Sequence, residues 1–183
     1  SQIVLGLQTI VSRQVNIPNE PAVVTIGGID GGIRFNIIPD KVTMVGTVRT
    51  FNEALRDDIH MRIRRTAENI AEASGATAEV TIDKPYDVTV NDPVLTTRML
   101  PTLKRVAGAD NVQLRDRLMG AEDFSFFAQK APGLFLFIGG TPAGQDASKM
   151  PYNHSPKFSI DESALKLGVR TLLHLTMDYM GAK

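Results

Sequence analysis

The chain has 183 residues, 43% of them apolar, and its twenty Lys and Arg residues balance twenty Asp and Glu residues. No apolar run approaches the roughly 20 residues that cross a bilayer, and no Lys/Arg cluster alternates with aromatic residues as in nucleic-acid binders, so small molecules or another copy of the chain are the expected partners. Because the sequence has no cysteine, a metal site in it must use histidine and carboxylate ligands.

The N-terminal residues predict a helix followed by strands. Apolar side chains recur at helical spacing over residues 3–14, with no N-cap segment or initiator Met before them, which suggests that the chain begins inside a longer protein. Residues 22–26 predict a strand. Residues 41–50 predict a second strand, with an apolar face and a more polar face that ends in Arg49.

A long amphipathic helix follows the second strand. Thr50 and Glu53 have capping-box spacing, and an apolar stripe continues over residues 53–73. Residues 78–82 and 86–90 return to strand character. This order predicts an α+β unit, in which an antiparallel sheet has both helices on one face.

A domain boundary is predicted at Asn91-Asp92-Pro93, where Asp92 would cap a new helix and Pro93 would occupy its first position. We therefore expect a first domain over residues 1–91 and a second over residues 92–183. The helix that opens the second domain is predicted to continue to about Ala107, with a kink or break at Pro101.

The second domain is predicted to have an α/β pattern. Residues 111–114 predict a short strand, residues 120–130 a loop with a short helix, and residues 134–138 a fully apolar strand of the kind buried in parallel sheets. A capping box from Ser159 predicts a last helix from Glu162 to about Met180. The buried residues of that helix are predicted to be Leu165, Val169, Leu172 and Tyr179.

His154 is the most informative residue of the sequence. Pro151 and Pro156 flank it and exclude it from a helical face, so it lies in a constrained loop before the last helix. A histidine held in this way suits a metal ligand or a catalytic group, although a loop histidine that bonds backbone is an equal alternative on these residues alone. His60 and His174 lie in predicted helices among charged residues, and a solvated helix face accounts for both.

Three further residues have both structural and functional interpretations. Gly120 precedes a short aromatic helix, where free backbone N–H groups could receive a carboxylate, although first-turn acidic residues explain this segment as well. Asn36 fits a turn former before the second strand. Arg49 alone would be a surface arginine, but its guanidinium also suits a carboxylate ligand.

The order of five motifs resembles the C-terminal portion of bacterial metal-dependent amidohydrolases of the hippurate hydrolase and indole-acetyl-amino-acid hydrolase type, in the larger aminoacylase and carboxypeptidase family. The match extends over nearly the whole chain. The motifs are Gly31-Gly32, Asn36-Ile37-Ile38-Pro39-Asp40, Gly46-Thr47-Val48-Arg49-Thr50, Met119-Gly120-Ala121-Glu122-Asp123-Phe124-Ser125 and Asn153-His154-Ser155-Pro156-Lys157-Phe158.

The resemblance implies a catalytic α/β domain interrupted by a smaller lid domain that forms dimers. Residues 1–91 would be most of the lid, and residues 92–183 the C-terminal segment of the catalytic domain. His154 would be a metal ligand, Asn36 and Arg49 would hold the carbonyl and carboxylate of the substrate, and Gly120 would line the substrate end of the site. The parent enzyme would use two divalent ions (zinc, manganese, cobalt or nickel).

The remaining metal ligands of the family, its catalytic glutamate and its oxyanion-stabilising lid histidine belong to sequence before such a segment. The resemblance therefore implies a fragment of a hydrolase of N-acyl amino acids or small peptides that is inactive alone, contains no catalytic residue, and need not bind metal itself. One alternative is a non-catalytic dimerisation or ligand-binding module, and another is a deacetylase of N-acetylated diamino acids. A homodimer through residues 1–91 and a cytoplasmic location are expected, while the sequence leaves the acyl group, the amino acid and the metal open.

Overall fold

The chain divides into two compact units in a computed structural model that describes residues 1–181. The first unit comprises Ser1–Val88 together with Leu118–Asp123, and the second comprises Thr89–Arg117 together with the residues from Phe124 onward. The segment 118–123 therefore belongs to the first unit, although it follows the predicted boundary at residue 91. The lid and catalytic roles of the two parts stay predictions.

The first unit consists of two helices and one hairpin: α1 (Gln2–Gln14), β1 (Ala22–Gly31), β2 (Val42–Thr50) and α2 (Glu53–Ala73). One buried cluster joins α1, α2 and β1, and its members are Leu7, Ile10, Ala22, Val24 and Ile59. Because alternate residues of a strand share a face, Ala22 and Val24 show that both helices cover the same face of the antiparallel sheet, as predicted. Complete burial of Ile10 and Ile59 stabilises this layer by roughly 1.5–3 kcal/mol each.

The hairpin pairs β1 with β2 in antiparallel register, with a bulge between Ile26 and Gly28. Val24 pairs with Val48 on the helix-covered face, and Val23 pairs with Arg49 on the opposite face. This arrangement confirms the predicted segregation of an apolar and a more polar face in β2.

Helix α2 begins at a different cap from the one predicted. Asn52 is the N-cap, and its side-chain oxygen accepts a hydrogen bond from the backbone N–H of Leu55 at 3.0 Å. The Asn52 Nδ2 also donates to Glu20 at 2.7 Å, which ties the helix start to the segment before β1. The capping box predicted from Thr50 is therefore wrong, because Asn52 offers an equally good acceptor and lies next to the first helical residue.

Four predicted strands are not formed as paired strands: the sheet of the described residues contains β1 and β2 alone. The unpaired segments are 78–82, 86–90, 111–114 and 134–138. The alternation or apolarity of these segments indicates an extended conformation, whereas a strand also needs a partner for its backbone groups, and partners are not encoded locally.

The second unit is built around two helices, α3 (Pro93–Ala107) and α5 (Ser163–Gly181), with the short helix α4 (Phe124–Ala128) between them in sequence. Two 3₁₀ turns, Ala109–Asn111 and Ala147–Lys149, complete it. Asp92 caps α3 as predicted, accepting from Leu95 N at 2.7 Å. The helix continues through Pro101. Of the predicted kink or break at this residue, the break is therefore wrong.

Burial of the residues around Pro101 accounts for the uninterrupted helix. Met99, Leu103 and Val106 of α3 are buried, and Thr102 Oγ1 donates to Asp178 of α5 at 2.5 Å. Arg105 Nη2 donates to the same carboxylate at 2.6 Å. These contacts hold both halves of α3 against α5 and offset the backbone hydrogen bond that a proline lacks.

Helix α5 has its apolar side outward, contrary to the prediction. Leu165, Val169, Leu172 and Tyr179 are between 52 and 66% exposed, whereas the buried residue of the helix is Thr171. Its start also differs, because Asp161 Oδ1 accepts from Ser163 N at 2.9 Å in place of the predicted Ser159 cap. None of the helices within residues 1–181 has the length and apolarity to span a membrane.

Candidate functional site

His154 lies at the tip of a tight turn in the second unit. Ser155 N donates to the Tyr152 carbonyl at 3.1 Å, and the backbone of His154 has a φ of 75°. Among the described residues, His154 is the one non-glycine residue with a positive φ. This conformation costs an L-residue roughly 1–2 kcal/mol. The turn keeps the imidazole exposed to solvent, outside any apolar core.

The turn that presents His154 is held by local hydrogen bonds on its C-terminal side. Lys157 N donates to Ser155 Oγ at 3.2 Å, and Phe158 N donates to the Ser155 carbonyl at 3.0 Å. Pro156 fixes its own φ within this second turn. The two turns confirm the constrained loop that the sequence predicted. Neither ring nitrogen of His154 has a protein partner in the described chain.

A complete metal centre is not formed by the residues that the structure describes. Within residues 1–181, no group of three or more His, Cys, Asp or Glu side chains lies close enough to share an ion. A catalytic zinc site needs three protein ligands besides water. The donor set of this chain therefore does not fit the two ions that the resemblance implies, and His154 could supply one ligand.

Arg49 lies near the end of β2 in the first unit, on the face opposite the helices. Its side chain is exposed, and Nη1 donates to the carbonyl oxygen of Met119 at 2.5 Å. Met119 immediately precedes Gly120, so the guanidinium lies beside one of the other predicted site residues. Seventy positions separate Arg49 from Met119 in sequence. No local pattern indicated this partner, and the sequence prediction missed Met119.

Gly120 has no steric reason to be glycine. A Cβ built on it would meet nothing within 4 Å, and its φ is not positive. By contrast, a Cβ on Gly46 would lie 2.4 Å from the Thr25 carbonyl oxygen. The backbone at Gly120 therefore faces open space next to Met119, where a ligand could approach it closely. The segment continues through Glu122 into α4, as the predicted loop and short helix.

Asn36 lies in the loop 32–41 between β1 and β2. Ile37 N donates to the Arg34 carbonyl at 3.3 Å, so Asn36 lies inside a turn. The Asn36 side chain is exposed and makes no hydrogen bond within the described residues. Its neighbours Phe35 and Ile38 are almost fully exposed as well.

The structure brings Arg49 and Gly120 together, but it separates Asn36 from both. The loop that carries Asn36 joins the paired residues Gly31 and Val42, whereas Arg49 pairs with Val23 at the other end of the hairpin. The run from Val42 to Arg49 spans about 23 Å at about 3.3 Å per residue. His154 belongs to the second unit, whereas the other three belong to the first.

The two helical histidines are less exposed than the sequence predicted. His60 Nδ1 is buried and has no hydrogen-bond partner in the described chain. Burial, followed by the charges of Lys84 and Arg56, lowers the pKa of His60 below its ordinary value of 6.5. His174 lies half-buried with Nδ1 3.5 Å from Arg105 Nη1 of α3. The contact with Arg105 accounts for the position of His174. Within the described residues, the named neighbours of the two histidines include none of the candidate site residues.

The chain is similar to known proteins over most of its length. The profile described as Peptidase family M20/M25/M40 matches residues 6–178. The chain is 39% identical over 168 residues to thermostable carboxypeptidase 2 of Saccharolobus solfataricus, covering 91% of this chain and 41% of that protein. It is 35% identical over 181 residues to IAA-amino acid hydrolase ILR1-like 4 of Arabidopsis thaliana, covering 97% and 40%.

A solved structure shares the fold. The YXEP protein of Bacillus subtilis, described as a dinuclear metal binding peptidase from the M20 family, aligns with a TM-score of 0.73 and 29% identity. The alignment covers 100% of this chain and 45% of that one. The chain thus spans less than half the length of each of these relatives.

Proposed function

Because the chain belongs to the Peptidase family M20/M25/M40, we propose that it is the C-terminal portion of a metal-dependent hydrolase that cleaves the amide bond of N-acyl amino acids or small peptides. The names of two relatives, a carboxypeptidase and an IAA-amino acid hydrolase, support this substrate class. Both kinds of substrate present a free carboxylate beside the amide to be cleaved.

The pairing of Arg49 with the Met119-Gly120 segment carries the proposal. A guanidinium is the side chain best suited to bind a carboxylate through two parallel hydrogen bonds. Next to it, Gly120 offers backbone in open space, where no side chain obstructs a ligand. Arg49 would bind the substrate carboxylate, and Gly120 would line the pocket beside it.

Hydrolysis would require residues that this chain does not supply. His154 would contribute one metal ligand, and the two divalent ions would be held mainly by sequence outside the chain. Two features of the second unit favour its being part of a larger catalytic domain. One is the outward apolar side of α5, and the other is the extended segment 134–138, whose backbone pairs with no strand of the described residues. A helix that is apolar on opposite sides is typical of a buried position. The chain alone is therefore proposed to be inactive.

A homodimer through residues 1–91 would resolve the separation of Asn36 from Arg49. Asn36 belongs to the loop at one end of the hairpin and Arg49 to the other end, and the strand between them spans about 23 Å at about 3.3 Å per residue. In a two-fold dimer, the same patch serves both copies, and Asn36 of one copy could reach the site of the other. The exposed apolar residues around Asn36, Phe35 and Ile38, support an interface at this loop.

Binding of N-benzoylglycine, measured by heteronuclear NMR, tests the substrate class. We expect shifts at Gly120 and Ala121 that vanish in Arg49→Ala and persist in Arg64→Ala, a matched arginine substitution on the exposed side of α2. N-benzoylglycinamide, which lacks the carboxylate, should bind at least about tenfold more weakly, because a charged hydrogen-bond pair is lost. Equal binding of acid and amide, or binding unaffected by Arg49→Ala, would contradict the proposal.

An activity assay separates the fragment from a complete enzyme. With zinc or manganese added, the chain is expected to release no glycine from N-benzoylglycine. Metal-dependent turnover that disappears in His154→Ala would show that the chain does contain a complete site. Absence of both binding and turnover would favour the non-catalytic dimerisation module.

A further inference from the structure

We infer that the Met119 carbonyl orients the Arg49 guanidinium, so that its Nε–Nη2 edge is fixed and free to bind a carboxylate. This inference rests on the proposed function, and it assigns a positioning role to the backbone carbonyl of Met119. Nη1 of Arg49 donates to the Met119 oxygen at 2.5 Å. A guanidinium has five N–H donors, of which this bond uses one.

The geometry of the guanidinium explains why the bond to Met119 does not compete with binding of a carboxylate. The N–H groups of Nε and Nη2 point to the same side and form one of the two pairs of donors that can bind a carboxylate, while Nη1 lies on the other side. Among the described residues, neither Nε nor Nη2 of Arg49 has an acceptor. The one hydrogen bond to the protein thus uses Nη1, which leaves Nε and Nη2 available to a carboxylate.

The bond to Met119 matters because the Arg49 side chain is otherwise exposed and free to rotate. Arg49 is exposed, and a free arginine side chain loses about 2 kcal/mol of rotamer entropy when it is fixed. A hydrogen bond that fixes the side chain before the ligand arrives removes part of that loss from the binding step. The same bond also fixes the peptide group between Met119 and Gly120, since that group contains the accepting oxygen.

The segment 118–123 depends on this bond for its polar attachment to the first unit. Its neighbours on both sides, Arg117 and Phe124, belong to the second unit, while 118–123 belongs to the first. Within the described residues, the Arg49 bond is the one hydrogen bond that connects 118–123 to the helices and hairpin of that unit. Arg49 and Gly120 are therefore expected to become ordered together.

Carbonyl and amide NMR signals of the ligand-free protein test the contact directly. The Met119 ¹³C′ and the Gly120 ¹⁵N belong to the peptide group that accepts the bond, so both should shift in Arg49→Ala, and amide exchange at Gly120–Glu122 should accelerate. Arg64→Ala should change neither. Arg49→Lys should retain a single donor to Met119, yet bind N-benzoylglycine at least about tenfold more weakly than the native chain, because an ammonium has no fork.

The outcomes distinguish this inference from the proposed function. If N-benzoylglycine binds in an Arg49-dependent manner while the Met119 and Gly120 signals are unchanged in ligand-free Arg49→Ala, the orienting role is overturned and the substrate class survives. If those signals shift but neither N-benzoylglycine nor its amide binds, the contact exists and the proposed function fails. Thermal unfolding of each variant checks that exposed Arg49 can be replaced without loss of the fold.

Discussion

The side-chain amide of Asn91 makes both hydrogen bonds that a neighbouring strand would make to the backbone of Phe135. Asn91 Oδ1 accepts from Phe135 N at 2.7 Å, and Nδ2 donates to the Phe135 carbonyl at 3.0 Å. The backbone N of Asp92 donates to the Gly133 carbonyl at 2.8 Å beside them. The start of α3 is thus joined to the extended apolar segment by a side chain that imitates a strand partner.

Replacing Asn91 is expected to weaken this junction measurably. Asn91→Ala should lower the free energy of unfolding by about 1–3 kcal/mol, since two neutral hydrogen bonds contribute about 0.5–1.5 kcal/mol each. Asn91→Asp retains an acceptor for Phe135 N and should lose less. Urea denaturation followed by circular dichroism measures both. Asn36→Ala is the control, because the Asn36 side chain is exposed and unbonded, and an equal loss in both alanine variants would refute the role of Asn91.

Local patterns were sufficient to predict the two helices and the hairpin of the first unit, although not the unpaired segments 78–82 and 86–90. The helices over residues 3–14 and 53–73 follow from apolar spacing, and the alternation of β2 correctly placed Arg49 on the face opposite Val48. These features depend on residues a few positions apart, where the 3.6-residue and 2-residue periods operate. The one-face packing of both helices then follows because each apolar stripe needs the same cover.

Contacts between distant residues could not be predicted in the same way. The bond from Arg49 to Met119 joins residues 70 positions apart, and no local pattern links the two segments. Likewise, the apolar run 134–138 predicted a buried strand, but a strand requires a partner, and Asn91 satisfies only Phe135. The prediction of buried residues in α5 was wrong for a related reason. An apolar pattern indicates a buried helix, but it does not identify the residues that cover it.

Two apolar substitutions of similar size test the asymmetry between the buried cluster and α5. Ile59→Ala should destabilise the chain by about 2–5 kcal/mol, because Ile59 is fully buried and the cavity adds to the lost burial. Leu172→Ala should change stability by no more than about 0.5 kcal/mol, since its side chain is 66% exposed. Chemical denaturation of the two variants provides the comparison, and a large loss at Leu172 would show that the outer side of α5 is covered in solution.

Substitution by alanine is expected to lower stability at Gly46 and to leave it nearly unchanged at Gly120. Gly46→Ala places a methyl group 2.4 Å from the Thr25 carbonyl oxygen and must displace backbone in the hairpin. A loss of about 1–3 kcal/mol is expected from such overpacking. Gly120→Ala enters open space and should leave the thermal midpoint nearly unchanged, while weakening N-benzoylglycine binding. A stability loss at Gly120 equal to that at Gly46 would contradict the open environment.

Acid should destabilise the first unit through His60. The folded-state pKa of His60 lies below 6.5, first because of burial and then because of Lys84 and Arg56, with Asp57 opposing them. As pH falls through 6.5 toward the folded pKa, the unfolded chain binds the proton first, so stability decreases with falling pH. His60→Gln should reduce this decrease in denaturation curves between about pH 7.5 and 5. An unchanged pH profile in the variant would exclude His60 as its source.

Assembly provides the last test, because the chain exposes two apolar surfaces that could each form a dimer. The loop around Asn36 has Phe35 exposed on the first unit, and α5 has Leu172 exposed on the second. The proposed dimer uses the first unit, so sedimentation at micromolar concentration should give twice the 19.9 kDa chain mass. Phe35→Lys should dissociate the dimer, because a charge would be buried in its apolar interface, while Leu172→Lys should leave it intact. The reverse result would place the interface on α5, and it would remove the argument that Asn36 reaches the site of a second copy.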